Sequence, residues 1–431
     1  MKSIRMGKLA AAIGVFLAAA GITGSSGSAS ADGASHGDKG AWFTSWAQSQ
    51  QGLANTMLKN QSVRMITHLS QGGDALRVRI QNQFGTSPLT VDAVAVAVSG
   101  DGAAIVGGSH PATFPGPDHR AATSVTIAPG GEAWSNPIRI GTRPQDDIAV
   151  SMYVAGQAVP GVHGSALRDN YVTAAGAGNH VADASGAAYT QKVTSTYLVS
   201  AVDVRNTHLA GTVVAYGSSV VDGTGSTNCG PGCTVTGNNR RWADDLARRV
   251  VKELPARRQV AIANAGIGGT TSSPECVHEP DGVKGLEAAA RLDRDVLALH
   301  GVTAVIYYYG TNDLQDDCTA DQILSSYDTV FQRLRQAGVK VYVTPITPRP
   351  IYTDQMNLHR YAVDSFVHKW NDCSDHCDEV LDFDQVLKDP LHPNAINPSY
   401  DNGDGIHANI AGQQAIADSI SLPLLARSGD G

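Results

Sequence analysis

The stretch VVAYGSSVVDGTGST, residues 213–227, decides how the chain is read. VVAY is apolar or aromatic throughout and runs straight into Gly217, Ser218 and Ser219, with Asp222, Gly223 and Gly225 close behind. A short apolar run that stops at Gly and Ser reads as a buried strand ending in a tight turn. Such a turn either presents a serine for chemistry or is a plain Gly/Ser loop. The flanking sequence separates the two.

Downstream, strand and helix patterns alternate. NNRRWADDLARRVVKELP carries Trp242, Leu246 and Val250 on one helical face, and VAIANAG reads as the next strand. GVKGLEAAARLDRDVLAL (helix), TAVIYYYG (strand), ADQILSSYDTVFQRLRQAG (helix) and VKVYVTPI (strand) continue the pattern. A helix from about Asp354 to Trp370, a short strand EVLDF and a closing helix NIAGQQAIADSIS complete it. This alternation predicts an α/β fold with a parallel sheet covered on both faces. In such sheets the functional groups gather at the carboxyl ends of the strands. Upstream, from Ala41 to about Asn206, the pattern is different. ALRVRIQNQFG, SPLTVDAVAVAVSG, TSVTIAPGG, DDIAVSMYVAG and STYLVSAVDVR alternate apolar and polar residues between Gly, Pro and Asp turns. That reads as an all-β sandwich.

Composition bounds the function. The 431 residues are 42% hydrophobic and 17% charged, with 46 glycines, which suits a loop-rich globular protein of two or three domains. Residues 1–31 read as a signal peptide. Lys2, Arg5 and Lys8 precede the apolar run LAAAIGVFLAAAGITG, and Ala29-Ser30-Ala31 fits a cleavage site. The run is shorter than the ~20 residues a membrane span needs. Cleavage near Ala31 predicts a secreted chain, and removing those three cations takes the formal charge from -8 to -11. An acidic secreted chain is a poor partner for nucleic acid or anionic lipid. The six cysteines, Cys229, Cys233, Cys276, Cys318, Cys373 and Cys377, read as three disulfides in an exported protein. Local pairing, Cys229 with Cys233 and Cys373 with Cys377, is favoured and leaves Cys276 with Cys318. A metal site of Cys373, His376 and Cys377 matches no established zinc spacing, and no metal or cofactor is expected.

Each predicted parallel strand delivers a group able to do chemistry. Gly217-Ser218-Ser219 follows VVAY, Gly268-Gly269 follows VAIANAG, and Gly310-Thr311-Asn312-Asp313 follows VIYYY. Asp404-Gly405-Ile406-His407 precedes the last helix. A serine hydroxyl needs a base, an orienting carboxylate for that base, and donors for the developing oxyanion. Each signal alone has a plainer reading: Gly269 as a turn glycine, Asn312 as a turn pin, Asp404-x-x-His407 as a solvated helix start. Asp401 is a second carboxylate near His407. Their order and their places after strands carry the weight.

That order, with Gly217-Ser218-Ser219, Asn264-Ala265-Gly266-Ile267-Gly268-Gly269, Gly310-Thr311-Asn312-Asp313 and Asp404-x-x-His407, resembles the SGNH/GDSL hydrolase superfamily. The resemblance covers residues 211 to 425 or so, and the run AARLDRDVLALHGVTAVIYYYGTNDL, residues 289–314, is similar to secreted bacterial members with an N-terminal β domain. It implies a three-layer, flavodoxin-like hydrolase domain over residues 211–427, preceded by the sandwich over 41–206. It implies Ser219 as nucleophile, His407 as base and Asp404 as its orienter. The backbone N–H groups of Ser219 and Gly269 and the Asn312 amide are then the oxyanion donors. One position departs from the family: its Gly-Asp-Ser aspartate is Ser218 here. That aspartate is neither nucleophile, base nor orienter, but its replacement offers a second hydroxyl beside Ser219.

The expected activity is a serine carboxylic ester hydrolase, an esterase or lipase, acting on a small-molecule, lipid or polysaccharide ester. Two alternatives stand beside it: a carbohydrate O-acetyl esterase with the same site, and a catalytically inert carbohydrate- or surface-binding protein. A monomer without a membrane span is expected.

Overall fold

The computed structural model describes residues 42–116, 118, 120–276, 285–369 and 376–426. The expected signal peptide and Cys373 lie outside these residues. In the N-terminal half two antiparallel sheets face each other. One has four strands in the order Trp42–Ala47, Val199–Arg205, Leu76–Gln81 and Glu132–Trp134. The other has six, in the order Gln191–Val193, Asn170–Val172, Leu58–His68, Asp147–Ala158, Ala93–Ser99 and Ile105–Pro111. Alternate residues point inward from both: Val78, Ile80, Val202 and Val204 from one sheet, Val63, Met65, Val94, Val96, Val150 and Met152 from the other. This period of two is what a strand with one face on a core requires.

From Thr212 the chain changes architecture. Five parallel strands lie in the order Ala261–Gly266, Thr212–Gly217, Val302–Tyr308, Lys340–Val343 and Glu379–Val380. In chain order this is 2-1-3-4-5, the flavodoxin-like arrangement, and its direction reverses beside the first strand. Both faces are covered. Val214, Tyr216, Val305 and Tyr307 pack with Tyr327, Val330 and Phe331 of the helix Ala320–Gln336. Val213, Ala215, Ile306 and Tyr308 pack with Trp242, Leu246 and Val250 of the helix Trp242–Glu253 and with Ile416 of the helix Ile410–Ser419. The sheet is therefore the middle of three layers.

The helix expected over GVKGLEAAARLDRDVLAL starts at Ala288 instead. Gly285 has φ +78°, a left-handed conformation incompatible with a right-handed helix. Beyond Leu292 the helix widens, with Ala298 N–H donating to Asp293 O at 2.8 Å.

The sandwich covers the outer edge of the parallel sheet. The strand Ala261–Gly266 is an edge strand, and edges leave backbone groups unpaired. Ile262 N–H donates to Ser70 Oγ at 2.9 Å, and Gln71 Nε2 donates to Val260 O at 3.1 Å. Thr44 and His300 exchange two further bonds, Thr44 N–H to His300 O at 3.0 Å and His300 N–H to Thr44 Oγ1 at 2.9 Å. Among the described residues no helix is long and apolar enough to cross a membrane.

Candidate active site

Ser219 sits where the first parallel strand ends. The strand Thr212–Gly217 is buried along its whole length, and Gly217 is required at its tip. A Cβ there would lie 2.3 Å from Tyr308 O and from Val221 Cγ2. The chain turns at Ser218 and enters a single helical turn, Ser219–Asp222, closed by Gly223 at φ 97°. As the first residue of that turn, Ser219 has no intrahelical acceptor for its N–H. The turn is held from beneath by the second strand. Asn264 Nδ2 donates to Val221 O at 2.6 Å, while Asn264 Oδ1 accepts from Gly266 N–H at 2.9 Å.

The segment before the helix Ile410–Ser419 brings an imidazole to Ser219. His407 Nε2 is 2.9 Å from Ser219 Oγ, and His407 Nδ1 is 2.7 Å from Asp404 Oδ2. An ionised carboxylate can only accept, so Nδ1 carries the proton and Nε2 offers its lone pair to the serine hydroxyl. Partial burial disfavours the Asp404 charge. The His407 ring and the backbone N–H groups of His407 and Ile406 outweigh that and hold the carboxyl down at about 2. Asp401, the other carboxylate in this segment, has a different task. Its Oδ1 accepts from Gly403 and Gly405 N–H, both at 2.9 Å, and so shapes the loop that aims Asp404.

The second and third strands bring the remaining groups. A Cβ on Gly268 would lie 3.7 Å from Ser219 Cβ, so this glycine pair passes directly beside the serine. Gly269 has φ +79° and open space where a side chain would be. The turn is tied by Thr270 Oγ1, which donates to Ile267 O at 2.8 Å. Asn312 Nδ2 donates to Thr270 O at 2.9 Å, and Asn312 Oδ1 accepts from Arg349. The neighbouring Asp313 is buried and accepts from Ser272 N–H at 3.0 Å and Ser273 N–H at 2.8 Å. Burial raises its carboxyl to about 6, with those N–H groups acting the other way. The disulfide Cys276–Cys318 links the far end of this loop to the segment before the helix Ala320–Gln336. Cys229–Cys233 is the second disulfide. The expected partner of Cys377, Cys373, falls outside the described residues.

Several supporting residues were not singled out from sequence. Arg291 is fully buried and donates to Gly217 O at 2.8 Å and Ala265 O at 2.7 Å, tying together the tips of the first two strands. It lies over the Tyr216 ring and pairs with Asp295 at 3.0 Å. The buried His163, from the N-terminal half, places Nε2 3.1 Å from Asp222 Oδ1 at the end of the Ser219 turn. Its Nδ1 is 2.8 Å from Ser49 O. Burial works against its protonation, yet the Asp222 charge raises it overall. Arg241 completes this corner, donating to Asp222 O at 2.6 Å and Ala166 O at 3.0 Å. Ser218 is buried, and its Oγ has no hydrogen-bond partner among the described residues.

Residues 215–415 match the GDSL-like Lipase/Acylhydrolase family. Residues 215–415, the part of the chain that holds Ser219, Asp404 and His407, form a domain of the SGNH/GDSL hydrolase superfamily. Its members are acylhydrolases and esterases. Solved structures similar to it include Est24, a carbohydrate acetylesterase from Sinorhizobium meliloti, at 17% identity, covering 48% of this chain and 94% of that one with a TM-score of 0.36. An aryl esterase from M. smegmatis is 15% identical over 48% of this chain and 95% of that one, with a TM-score of 0.37. A family two carbohydrate esterase from Clostridium thermocellum, solved in complex with cellohexaose, is 12% identical over 86% of this chain and 96% of that one, with a TM-score of 0.38. No curated protein matches the chain.

Proposed function

We propose that this SGNH/GDSL hydrolase is a serine carboxylic ester hydrolase working through an acyl-enzyme on Ser219. The observation that carries the reading is the relay Ser219 Oγ–His407 Nε2 at 2.9 Å and His407 Nδ1–Asp404 Oδ2 at 2.7 Å. His407 Nε2 takes the Ser219 proton as Oγ attacks the ester carbonyl carbon. The carbonyl π pair moves to oxygen, and the resulting oxyanion accepts from the N–H groups of Ser219 and Gly269 and from Asn312 Nδ2. The intermediate collapses, the alkoxy C–O bond breaks, and His407 returns the proton to the leaving alcohol. A water activated by His407 then attacks the acyl carbon and releases the acid and Ser219. Asp404 stays ionised throughout and fixes the imidazole tautomer.

The test is a Ser219→Ala variant assayed on p-nitrophenyl acetate. The expected result is a kcat at least ~1000-fold lower with the fold intact; a parental rate refutes the reading. The same residue should react covalently with a fluorophosphonate probe. An intact, folded chain that fails to label would instead favour a catalytically inert binding protein.

A carbohydrate O-acetyl esterase is a second reading, favoured by one feature. A groove of about 1000 Å³ reaches the segment before Asp404 and is lined by Asn228, Arg240, Asp401, Asn402, Asn409 and Gln414 among others. Pro231, Pro398, Ile410 and Ala411 complete the lining, so side chains able to hydrogen-bond a polyhydroxylated alcohol stand beside apolar surface. An ester series of increasing acyl length checks it: a peak at acetate supports deacetylation, and a peak at long acyl chains refutes it. Export of the chain is part of the proposal and is supported by the disulfides Cys229–Cys233 and Cys276–Cys318. N-terminal sequencing of protein from culture medium should begin near Asp32.

A further inference from the structure

We infer that Arg349 is a positioning residue for the oxyanion site, acting through Asn312. The inference rests on the reading of Asn312 as an oxyanion donor. A side-chain amide can serve there only if its nitrogen, not its oxygen, faces the substrate, and the two ends have nearly the same shape. Something must choose between them. Arg349 Nη1 and Nη2 both lie 3.2 Å from Asn312 Oδ1. A guanidinium has donors and no acceptor, so it can hold only the oxygen. The flipped amide would point N–H groups at N–H groups. Asn312 Nδ2 is thereby turned the other way, and one of its two hydrogens goes to Thr270 O at 2.9 Å. The second hydrogen is left for the substrate, and every polar position of the amide is then assigned.

Arg349 is itself held firmly. It is 2% exposed, and Nη1 donates to Gln315 Oε1 at 2.7 Å. Pro348 and Pro350 flank it and fix the backbone φ on both sides. Pro350 also touches the other half of the site: a Cβ on Gly405, between Asp404 and His407, would lie 2.8 Å from Pro350 Cγ. Among the described residues, no carboxylate lies within ion-pair distance of Arg349. A buried cation is usually paired. This one instead sets its charge against the amide that would face the developing oxyanion, where it polarises the N–H toward the substrate. Such a fixed field favours a negative transition state over a neutral ester.

The experiment is a double-mutant cycle on the full chain with p-nitrophenyl acetate, using Arg349→Met, Asn312→Ala and the pair, with Arg349→Lys and Ser219→Ala alongside. Arg349→Met should lower kcat ~10- to 100-fold and leave KM within about twofold. Arg349→Lys, which keeps the charge but loses the fork, should recover part of the loss. In the Asn312→Ala background, Arg349→Met should cost no more than about twofold further, because its effect passes through that amide. A kcat within about twofold of the parent overturns the inference, as does an equal loss with and without Asn312. If Arg349→Met does not fold by circular dichroism, Gln315→Ala loosens the same guanidinium more gently. Its kcat should drop by roughly threefold or more, only while Asn312 is present, and no drop overturns the inference. Parental activity in Ser219→Ala or Asn312→Ala would instead defeat the underlying reading of the site. Loss in both of those variants with a parental Arg349→Met defeats this inference alone.

Discussion

Adding a single methyl group at Gly266 should disable the proposed esterase activity without replacing any residue of the proposed relay. Gly266 closes the second parallel strand and pairs with Gly217 across the sheet. Its φ is not in the left-handed region, so alanine meets no backbone obstacle there. The obstacle is space. The new Cβ would lie 2.2 Å from Asp222 N and 2.7 Å from Asp222 Cα and Val221 C, whereas ordinary contact begins at 3.4 Å. The opposing atoms are backbone and have no rotamer to change, so the Ser219–Asp222 turn must retreat by about 1.2 Å. Ser219 rides on that turn. The 2.9 Å bond from its Oγ to His407 Nε2 would stretch well past the ~3.2 Å limit of a good hydrogen bond. A misplacement of about 1 Å at a reacting group costs on the order of 100-fold in rate. Overpacking at a filled site costs about 1–3 kcal/mol of stability. The assay is kcat on p-nitrophenyl acetate with Tm measured on the same preparation. A Gly266→Ala variant that folds and keeps kcat within about threefold of the parent would refute the reasoning.

Other substitutions probe the surroundings of the serine. Ser218→Ala removes a buried hydroxyl without a partner, so activity should stay within about twofold and stability should rise by up to ~1 kcal/mol; a large loss of kcat would point to Ser218 as a participant. His163→Ala leaves the buried Asp222 carboxylate without its imidazole partner. It should cost about 3–5 kcal/mol in chemical denaturation, together with part of kcat; unchanged values for both would show the pair to be idle. Burial raises Asp313 to about 6 and Asp364 to about 7, so the folded chain holds protons that the unfolded chain has already released. Their stabilising contribution is full below the unfolded carboxylate value near 3.8 and is lost as pH rises through 6 and 7. Denaturation curves between pH 4 and 8 should show these groups pulling stability down as pH rises, and Asp364→Asn should flatten the upper part of that slope. An unchanged slope in the variant would contradict the assignment.

The strand ends that carry the candidate site were legible in the sequence, because a parallel sheet orders its own strand ends. Once VVAY, VAIAN and VIYYY are read as neighbouring strands, the loops that carry Ser219, Gly269 and Asn312 leave the same edge of the sheet. The supporting residues carry no such signal. His163 ends the short strand Gly161–His163, which lies outside the two large sandwich sheets, and reaches Asp222 across 59 positions of sequence. Arg349 lies in an irregular stretch between two prolines, with no strand or helix period to give it a direction. The strand Leu58–His68, absent from the pattern reading, is the longest part of the same lesson. Its sequence LKNQSVRMITH lacks clean alternation because both faces are buried. Val63 and Met65 enter the core, while Ser62 bonds Gly178 O and Arg64 lies over Tyr189, under the loop that follows Val172. Polar residues that are buried with partners look, in one dimension, like surface.

The covered edge of the parallel sheet has a consequence for how this protein could be cut and recombined. Ser70 and Gln71 stand in for a sixth strand, supplying side-chain atoms where a neighbouring backbone would otherwise pair. A hydrolase half excised at residue 211 would carry a bare strand, AIANAG, open to any extended chain it met, and would lose the His163 brace as well. The two halves are therefore not interchangeable modules joined by a linker. A chimaera that grafts the catalytic half onto another carrier must bring a substitute for these three side chains, or it will trade catalysis for strand-to-strand aggregation.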